Sequence, residues 1–400
     1  MDSPEIQIGS GWIKIDLLSH GIEIDKSISD FLRSNTSVAI RKNFYNTPVW
    51  TDSHAPIPQE IRVHGLVVGL NCYGPSPWRL SWSRAEDSLL LENPAAGESY
   101  QPELIPDLNM FQSDHKTVRL ANLYGGAALA FFSPRSCYFF LDGTQCAFCS
   151  LAGTAEESRE FKDVLSEEDI RATVQAALES DGNRIEQIMV VGGNMRDLDR
   201  GFRHHVSLAR AAAKEITRAK VSRKISVHIA TMPPRNLDLL KLLTEIDDVH
   251  VMFNLEVWDA KLFSEICPGK ERDYGRQEML IALEHLRDVI GAYRAHSLLV
   301  TGLEPAESTA AGATALAAMG ISPIINVYHS DQHSRLGLGV RPTFSELALV
   351  ALTLQELYGK FAIEPYWKKC GRNAIDAEAQ RGLFRSQIPP FLKDGLADNA

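Results

Sequence analysis

From residue 116 to about 340 the chain repeats one unit: a strand-length apolar run, a polar turn, then apolar residues at helical spacing. Ile188-Met189-Val190-Val191 is a continuous apolar run closed by Gly192-Gly193, the pattern of a strand buried on both faces. Ile225, Val227 and Ile229 alternate in the next run, and Val251-Met252-Phe253 leads a third. Ser297-Leu298-Leu299-Val300 and Ile324-Ile325-Asn326-Val327 supply two more. Between these runs, Ser166 and Asp169 make a capping-box pattern ahead of Ile170, Val174 and Leu178. Phe202, Val206, Ala209 and Ala213 mark the next helix, and Leu280, Leu283 and Leu286 a third. An alanine-rich helix follows Thr309 and closes at Gly320, a C-terminal glycine. With one strand just before Cys137, the rhythm amounts to roughly six βα units and predicts a parallel sheet with helices outside. That is short of the eight in a closed barrel. Periodicity by itself leaves a doubly wound sheet equally open.

The flanks read differently. Residues 1–115 are rich in Pro, Ser, Asn and short apolar runs, and are expected to form a β-rich N-terminal extension. Arg62 to Leu70 alternates like one strand, with turn chemistry at Tyr73-Gly74-Pro75-Ser76-Pro77 and Asn93-Pro94. In residues 341–400, Thr343 to Tyr358 reads as a helix leading into a mixed polar tail. A hydrophobic fraction of 44% with 23% charged residues excludes disorder, collagen and coiled coil as whole-chain readings. The longest mostly apolar stretch, Tyr124 to Phe132, is far below the ~20 residues a bilayer span requires. Met1 to Ser10 lacks a basic start followed by an apolar run, so a cytoplasmic protein is expected. A net charge of −10 argues against a general nucleic-acid surface.

Three of the six cysteines fall within thirteen residues, Cys137 to Cys149, spaced Cys-x8-Cys-x2-Cys. Asp142-Gly143 is a turn signal, so the loop can fold back and bring its thiols together. Soft thiolates in a reducing compartment suit zinc or an iron–sulfur cluster. Structural zinc asks for a fourth ligand, and Cys72, Cys267 and Cys370 stand alone in the sequence. A redox dithiol at Cys146 and Cys149 leaves Cys137 unexplained. Three inert buried thiols are the remaining reading of the residues.

The same segment resembles the cluster loop of the radical S-adenosylmethionine (SAM) superfamily, in which three cysteines hold a [4Fe-4S] cluster and leave one iron open. Phe148 holds the family's aromatic position before the last cysteine, whereas the first gap has eight residues where the usual spacing has three. Gly192-Gly193-Asn194 resembles the Gly-Gly-Glu motif that meets the SAM amino group, with neutral Asn194 in the acidic place. Asn254-Leu255-Glu256 is similar to the ribose-binding motif of biotin synthase-like members. Cys267-Pro268-Gly269-Lys270 resembles segments of biotin-synthase-related proteins. Arg276, opening the following helix, is the candidate partner of the SAM carboxylate. Thr301-Gly302-Leu303-Glu304-Pro305 resembles the fifth-strand turn that lies against adenine, through Gly302.

The resemblance implies an α/β partial TIM-type (β/α)6 barrel over 116–340, between the β-rich extension and a C-terminal helical tail. It implies Cys137, Cys146 and Cys149 as cluster ligands. Phe148, Gly192, Gly193, Asn194, Asn254, Glu256, Arg276 and Gly302 become SAM-binding positions. The implied activity is reductive cleavage of SAM to a 5′-deoxyadenosyl radical that takes hydrogen from a small molecule, with a flavodoxin or ferredoxin as reductant. The absence of a second cysteine cluster favours lyase, rearrangement or carbon-skeleton chemistry over sulfur insertion. His228, His329, Asp331 and His333, near expected strand ends, are candidate substrate contacts, and Cys267 or Cys370 a candidate hydrogen donor. A zinc enzyme using the same cysteines with a histidine such as His228 is one rival. A non-catalytic cluster-binding protein is the other.

Overall fold

The computed structural model describes residues 10–35, 38, 56–72, 75–109, 120–157, 162–331, 333–337 and 341–384. The expected turn at Tyr73-Gly74 and residues 385–400 of the expected tail lie outside them. Seven short strands come first: β1 (Glu23–Ile24), β2 (Glu60–Val63), β3 (Leu66–Gly69), β4 (Arg79–Ser83), β5 (Ser88–Asn93), β6 (Glu98–Tyr100) and β7 (Glu103–Leu104). They form two small sheets, ordered β1-β4-β5-β6 and β3-β2-β7. Arg62 to Leu70 is therefore a hairpin, where the alternation had suggested one strand. His64 and Gly65 both take positive φ, 48° and 74°. That is the two-residue turn whose twist matches its flanking strands.

The βα alternation folds into one seven-stranded sheet: β8 (Asn122–Tyr124), β9 (Ala128–Phe132), β10 (Gln187–Val191), β11 (Ser226–Ala230), β12 (Val249–Met252), β13 (Ala295–Thr301) and β14 (Ser322–Val327). Its spatial order follows the chain without a reversal, and every pair from β9 to β14 is parallel. A doubly wound sheet would reverse at a switch point. Sequential right-handed crossovers instead put every intervening helix on one side and let the sheet curl around the other. The result is a partial (β/α)6 barrel, with β8 added antiparallel at one edge. The helix Glu167–Asp181 starts at the expected capping box, with Ser166 and Asp169 each satisfying the other's backbone N–H.

The terminal stretches pack on this barrel. The helix Phe344–Phe361, capped by Thr343 and Glu346, lies beside the alanine-rich helix Ala306–Ala318. Beyond it, Val327 N–H donates to Asn373 O and Ile375 N–H to Ile325 O, which covers the free edge of β14. The N-terminal helix Ser10–His20 locks onto the same segment. Trp12 packs edge-on against Phe384, and buried Lys14 reaches Glu378 Oε1 at 2.9 Å and Gly371 O at 2.6 Å. No described helix is long and apolar enough to cross a membrane.

Candidate active site

The cysteine loop is seated by glycines. Past β9 the chain crosses the end of β10: Ser133 N–H donates to Val191 O, Gly193 N–H to Pro134 O, and Tyr138 N–H to Asn194 O. A Cβ on Gly192 would lie 2.6 Å from Pro134 O. One on Gly193 would lie 2.1 Å from Ser136 O and 2.8 Å from Cys137 Cβ. Only glycine lets the segment bearing Cys137 approach β10 this closely. The pair therefore has a folding duty whatever it binds.

Cys137 precedes one helical turn, Tyr138–Leu141, which ends in the expected Asp142-Gly143 turn, with Gly143 at φ 66°. Arg196 and Arg272 both donate to Asp142. Cys149 N–H then donates to Cys146 O. Other segments hold the loop from outside. Ala147 N–H donates to Ile266 O, Gly269 N–H to Thr144 O, and Leu336 N–H to Ala147 O. Arg335 Nη2 donates to Gly143 O at 2.7 Å.

Beneath this loop, at the C-terminal ends of β10 to β12, lies a cavity of about 150 Å³, about 660 Å³ with its open mouth. Cys137, Cys146, Cys149, Phe148, Gly192, Gly193, Asn194, Asn254 and Glu256 all line it. Sequence reasoning did not assign Phe139, Phe140, Thr231, Met232 or Lys270 to it, and these complete the wall. Two roomier hollows, about 590 and 640 Å³, sit at the opposite ends of the strands. Their charges are largely paired, as in Arg62 with Glu103 and Arg184 with Asp181. The smaller cavity holds the thiols and lies at the strand ends where barrels of this type carry their chemistry.

Lys270 is the buried cation of the site. Its ammonium donates to Asn254 O at 2.7 Å and Glu256 Oε1 at 2.8 Å. Burial alone would favour its neutral form, but Glu256 and the neighbouring sulfurs raise its pKa and hold it charged. Glu256 stands at φ 70°, a left-handed backbone that costs a non-glycine residue about 1–3 kcal/mol. It is fixed by bonds from its N–H to Leu298 O and from Val300 N–H to its carbonyl. Strain held at a cavity wall orients that carboxylate.

Burial pushes the Cys137 thiol up and the Cys149 thiol up to about 12. The Cys146 thiol is pulled down, chiefly by a hydrogen bond from Cys267 and then, against burial, by the Lys270 charge. Backbone N–H groups of Asn194 and Phe139 point at the Cys137 sulfur. Buried Gln145 Oε1 and Thr144 Oγ1 have no partner. Among the described residues no three Cys, His, Asp or Glu side chains close on one ion-sized point. The sulfurs line the walls of a cavity instead, a donor set suited to a polynuclear thiolate-bound group.

Several expected contacts are elsewhere. Arg276 does not reach the cavity: its Nε donates to Trp258 O and its guanidinium lies 4.5 Å over the Trp258 ring. Gly302, at φ 102°, faces Pro342, which a Cβ would meet at 2.9 Å. His228 lies one inward-facing layer below the cavity-lining Ala230, stacked on His250 at 4.7 Å and against Tyr366. His250 and His296 complete the layer, ring nitrogens 2.9 Å apart. His329, Asp331 and His333 lie on the segment that also supplies Arg335 and Leu336, and none lines the cavity. His333 packs on Gly153, and Asp331 Oδ1 accepts its N–H. Cys370 is buried at the other strand end, against Gln187 and Trp367. Lys270 carried only a weak signal: a lysine after Pro-Gly, whose partner Glu256 is fourteen residues upstream.

Fold and site together define a partial (β/α) barrel with a thiol-lined cavity at the C-terminal ends of its strands. No family model and no curated protein matches the chain. Among solved structures it is similar to methylornithine synthase (PylB), at 16% identity and a TM-score of 0.43, over 59% of this chain and 63% of that one. It is similar to HydG, a maturase of the [FeFe]-hydrogenase, at 14% identity and 0.42, over 60% and 52%. A radical SAM methyltransferase from Sphaerobacter thermophilus gives 14% and 0.43, over 74% and 81%. The chain thus spans less than two thirds of the first two. All three likenesses are distant, and the site is read from its own residues.

Proposed function

We propose that this chain is a radical SAM enzyme acting on a small molecule. The observation that carries the reading is the meeting, in one cavity, of three cysteines with the Gly-Gly-Asn and Asn-x-Glu segments of different strands. The cofactors are a [4Fe-4S] cluster, which Cys137, Cys146 and Cys149 would hold, and SAM. Bound together, they supply one-electron cleavage of the sulfonium and a 5′-deoxyadenosyl radical that removes hydrogen from substrate.

The chain's own residues position and shield. Gly193 and Asn194 offer backbone close to the thiols, and Asn254 and Glu256 offer polar side chains on the facing wall. Lys270, in the role expected of Arg276, supplies the positive charge that a carboxylate entering the cavity would meet. Phe139, Phe148 and Met232 provide apolar wall that keeps water from a reactive carbon. Lyase, rearrangement or carbon-skeleton chemistry, with a flavodoxin or ferredoxin as reductant, completes the proposal.

The test is anaerobic iron and sulfide reconstitution, then a dithionite-driven assay for 5′-deoxyadenosine from SAM, with Cys137→Ala as control. Product from the wild type and none from the variant is expected. A loaded four-iron cluster that neither binds nor cleaves SAM would favour the non-catalytic rival, for which neutral Asn194 speaks. A colourless zinc protein would sink the reading.

A further inference from the structure

Cys267 sits behind the site rather than in it. The bonds Ala147 N–H to Ile266 O, 2.8 Å, and Gly269 N–H to Thr144 O, 3.0 Å, run the cysteine loop antiparallel to Ile266–Gly269. That register sets Cys146 directly opposite Cys267. The approach is built in, because a Cβ on Gly269 would lie 2.4 Å from Phe139 Cδ1 and 2.6 Å from Thr144 O. Cys267 is 0% exposed and absent from the cavity wall, whereas Cys146 is part of that wall. Its S–H donates to the Cys146 sulfur.

We propose that Cys267 is a positioning residue that acts through Cys146, raising the reduction potential of the iron–sulfur group held there without being a ligand to it. The physical basis is general. A donor aimed at a ligand sulfur withdraws charge from it and stabilises the more negative, reduced state. This inference rests on the cluster reading above.

The experiment is an EPR-monitored redox titration of reconstituted full-length wild type, Cys267→Ala and Cys267→Ser, with iron and sulfide analysis and circular dichroism of each. Equal cluster content in all three is expected. At the wild-type midpoint potential, Cys267→Ala holds about tenfold fewer reduced relative to oxidised clusters, a fall of about 59 mV for one electron. Cys267→Ser, still a donor, recovers more than half of that shift. An unmoved potential in a fully loaded Cys267→Ala overturns the proposal alone. Equal shifts in both variants overturn it in favour of packing. Cluster loss from a folded Cys267→Ala, matching that of Cys146→Ala, makes Cys267 a ligand and overturns it too. A wild type that takes up no cluster fails the parent reading, and this inference with it.

Discussion

The two layers inside the barrel are both buried and both rich in titratable groups, yet they are built to opposite ends. In the upper layer Lys270, Glu256 and the three thiols face a cavity, with a charge kept on Lys270 and a strained backbone at Glu256. One step lower, two residues or about 7 Å along a strand, His228, His250 and His296 face one another and Tyr366. Burial holds His228 and His296 well below the ordinary histidine range. Perturbed titration therefore does not by itself mark the chemistry here. What distinguishes the layers is whether the groups face a space or each other.

That contrast can be broken in four places. The largest effect is expected at Lys270, because Lys270→Met leaves Glu256 buried without its cation, a loss of about 3–5 kcal/mol. Lys270→Met with Glu256→Gln should recover most of the stability in urea unfolding and none of the SAM affinity in equilibrium dialysis. Recovery of both would make the pair structural, like the histidines below.

Gly193→Ala should cost about 1–3 kcal/mol by overpacking and lower iron uptake with it, since the new methyl displaces Cys137. Full iron loading in an equally destabilised protein would separate the glycine from the loop.

The lower layer predicts a pH effect. His205, His228 and His296 have folded pKa values depressed below the unfolded 6.5, to about 4 for His205, each chiefly by burial. The unfolded chain then binds more protons, so this stability is complete above pH 6.5 and is lost as the pH falls below it. The slope is about 1.4 kcal/mol per pH unit for each histidine. His228→Phe should flatten that acid limb in denaturant titrations while leaving deoxyadenosine formation unchanged. A fall in turnover at unaltered stability would move His228 into the upper layer's role.

The smallest effect is expected at Arg276. Arg276→Ala loses its stacking on Trp258, about 0.5–1 kcal/mol, and should leave the KM for SAM unmoved. A large rise in KM would restore this arginine to the carboxylate and demote Lys270.

Much of this was legible in the residues, and the gaps have physical reasons. Apolar runs such as Ile188 to Val191 marked the strands, and Ser166 with Asp169 marked a helix start, because those signals are local. The cysteine loop and the Gly-Gly and Asn-x-Glu segments pointed to one cavity because each lies just past a strand end. Spatial order was not legible, since sequential and doubly wound sheets share one rhythm. Arg276 was chosen over Lys270 because an arginine opening a helix is conspicuous. What decides between them is the interposed turn Pro268–Asp273, which aims Lys270 inward and leaves Arg276 over Trp258. His228 was misjudged as a substrate contact because distance along a strand says little about what closes the barrel below, and Tyr366 comes from far down the chain.

The bonds that grip the cysteine loop have a consequence for maintenance. Five backbone hydrogen bonds run from Tyr138, Ala147, Gly193, Gly269 and Leu336, and every one is protein to protein. A loop fastened this way keeps its form by its own bonds, so a cluster lost to oxygen leaves a receptacle behind and not an unravelled chain. Damage at such a centre is repairable by reloading, and a cell can recharge the same molecule instead of replacing it.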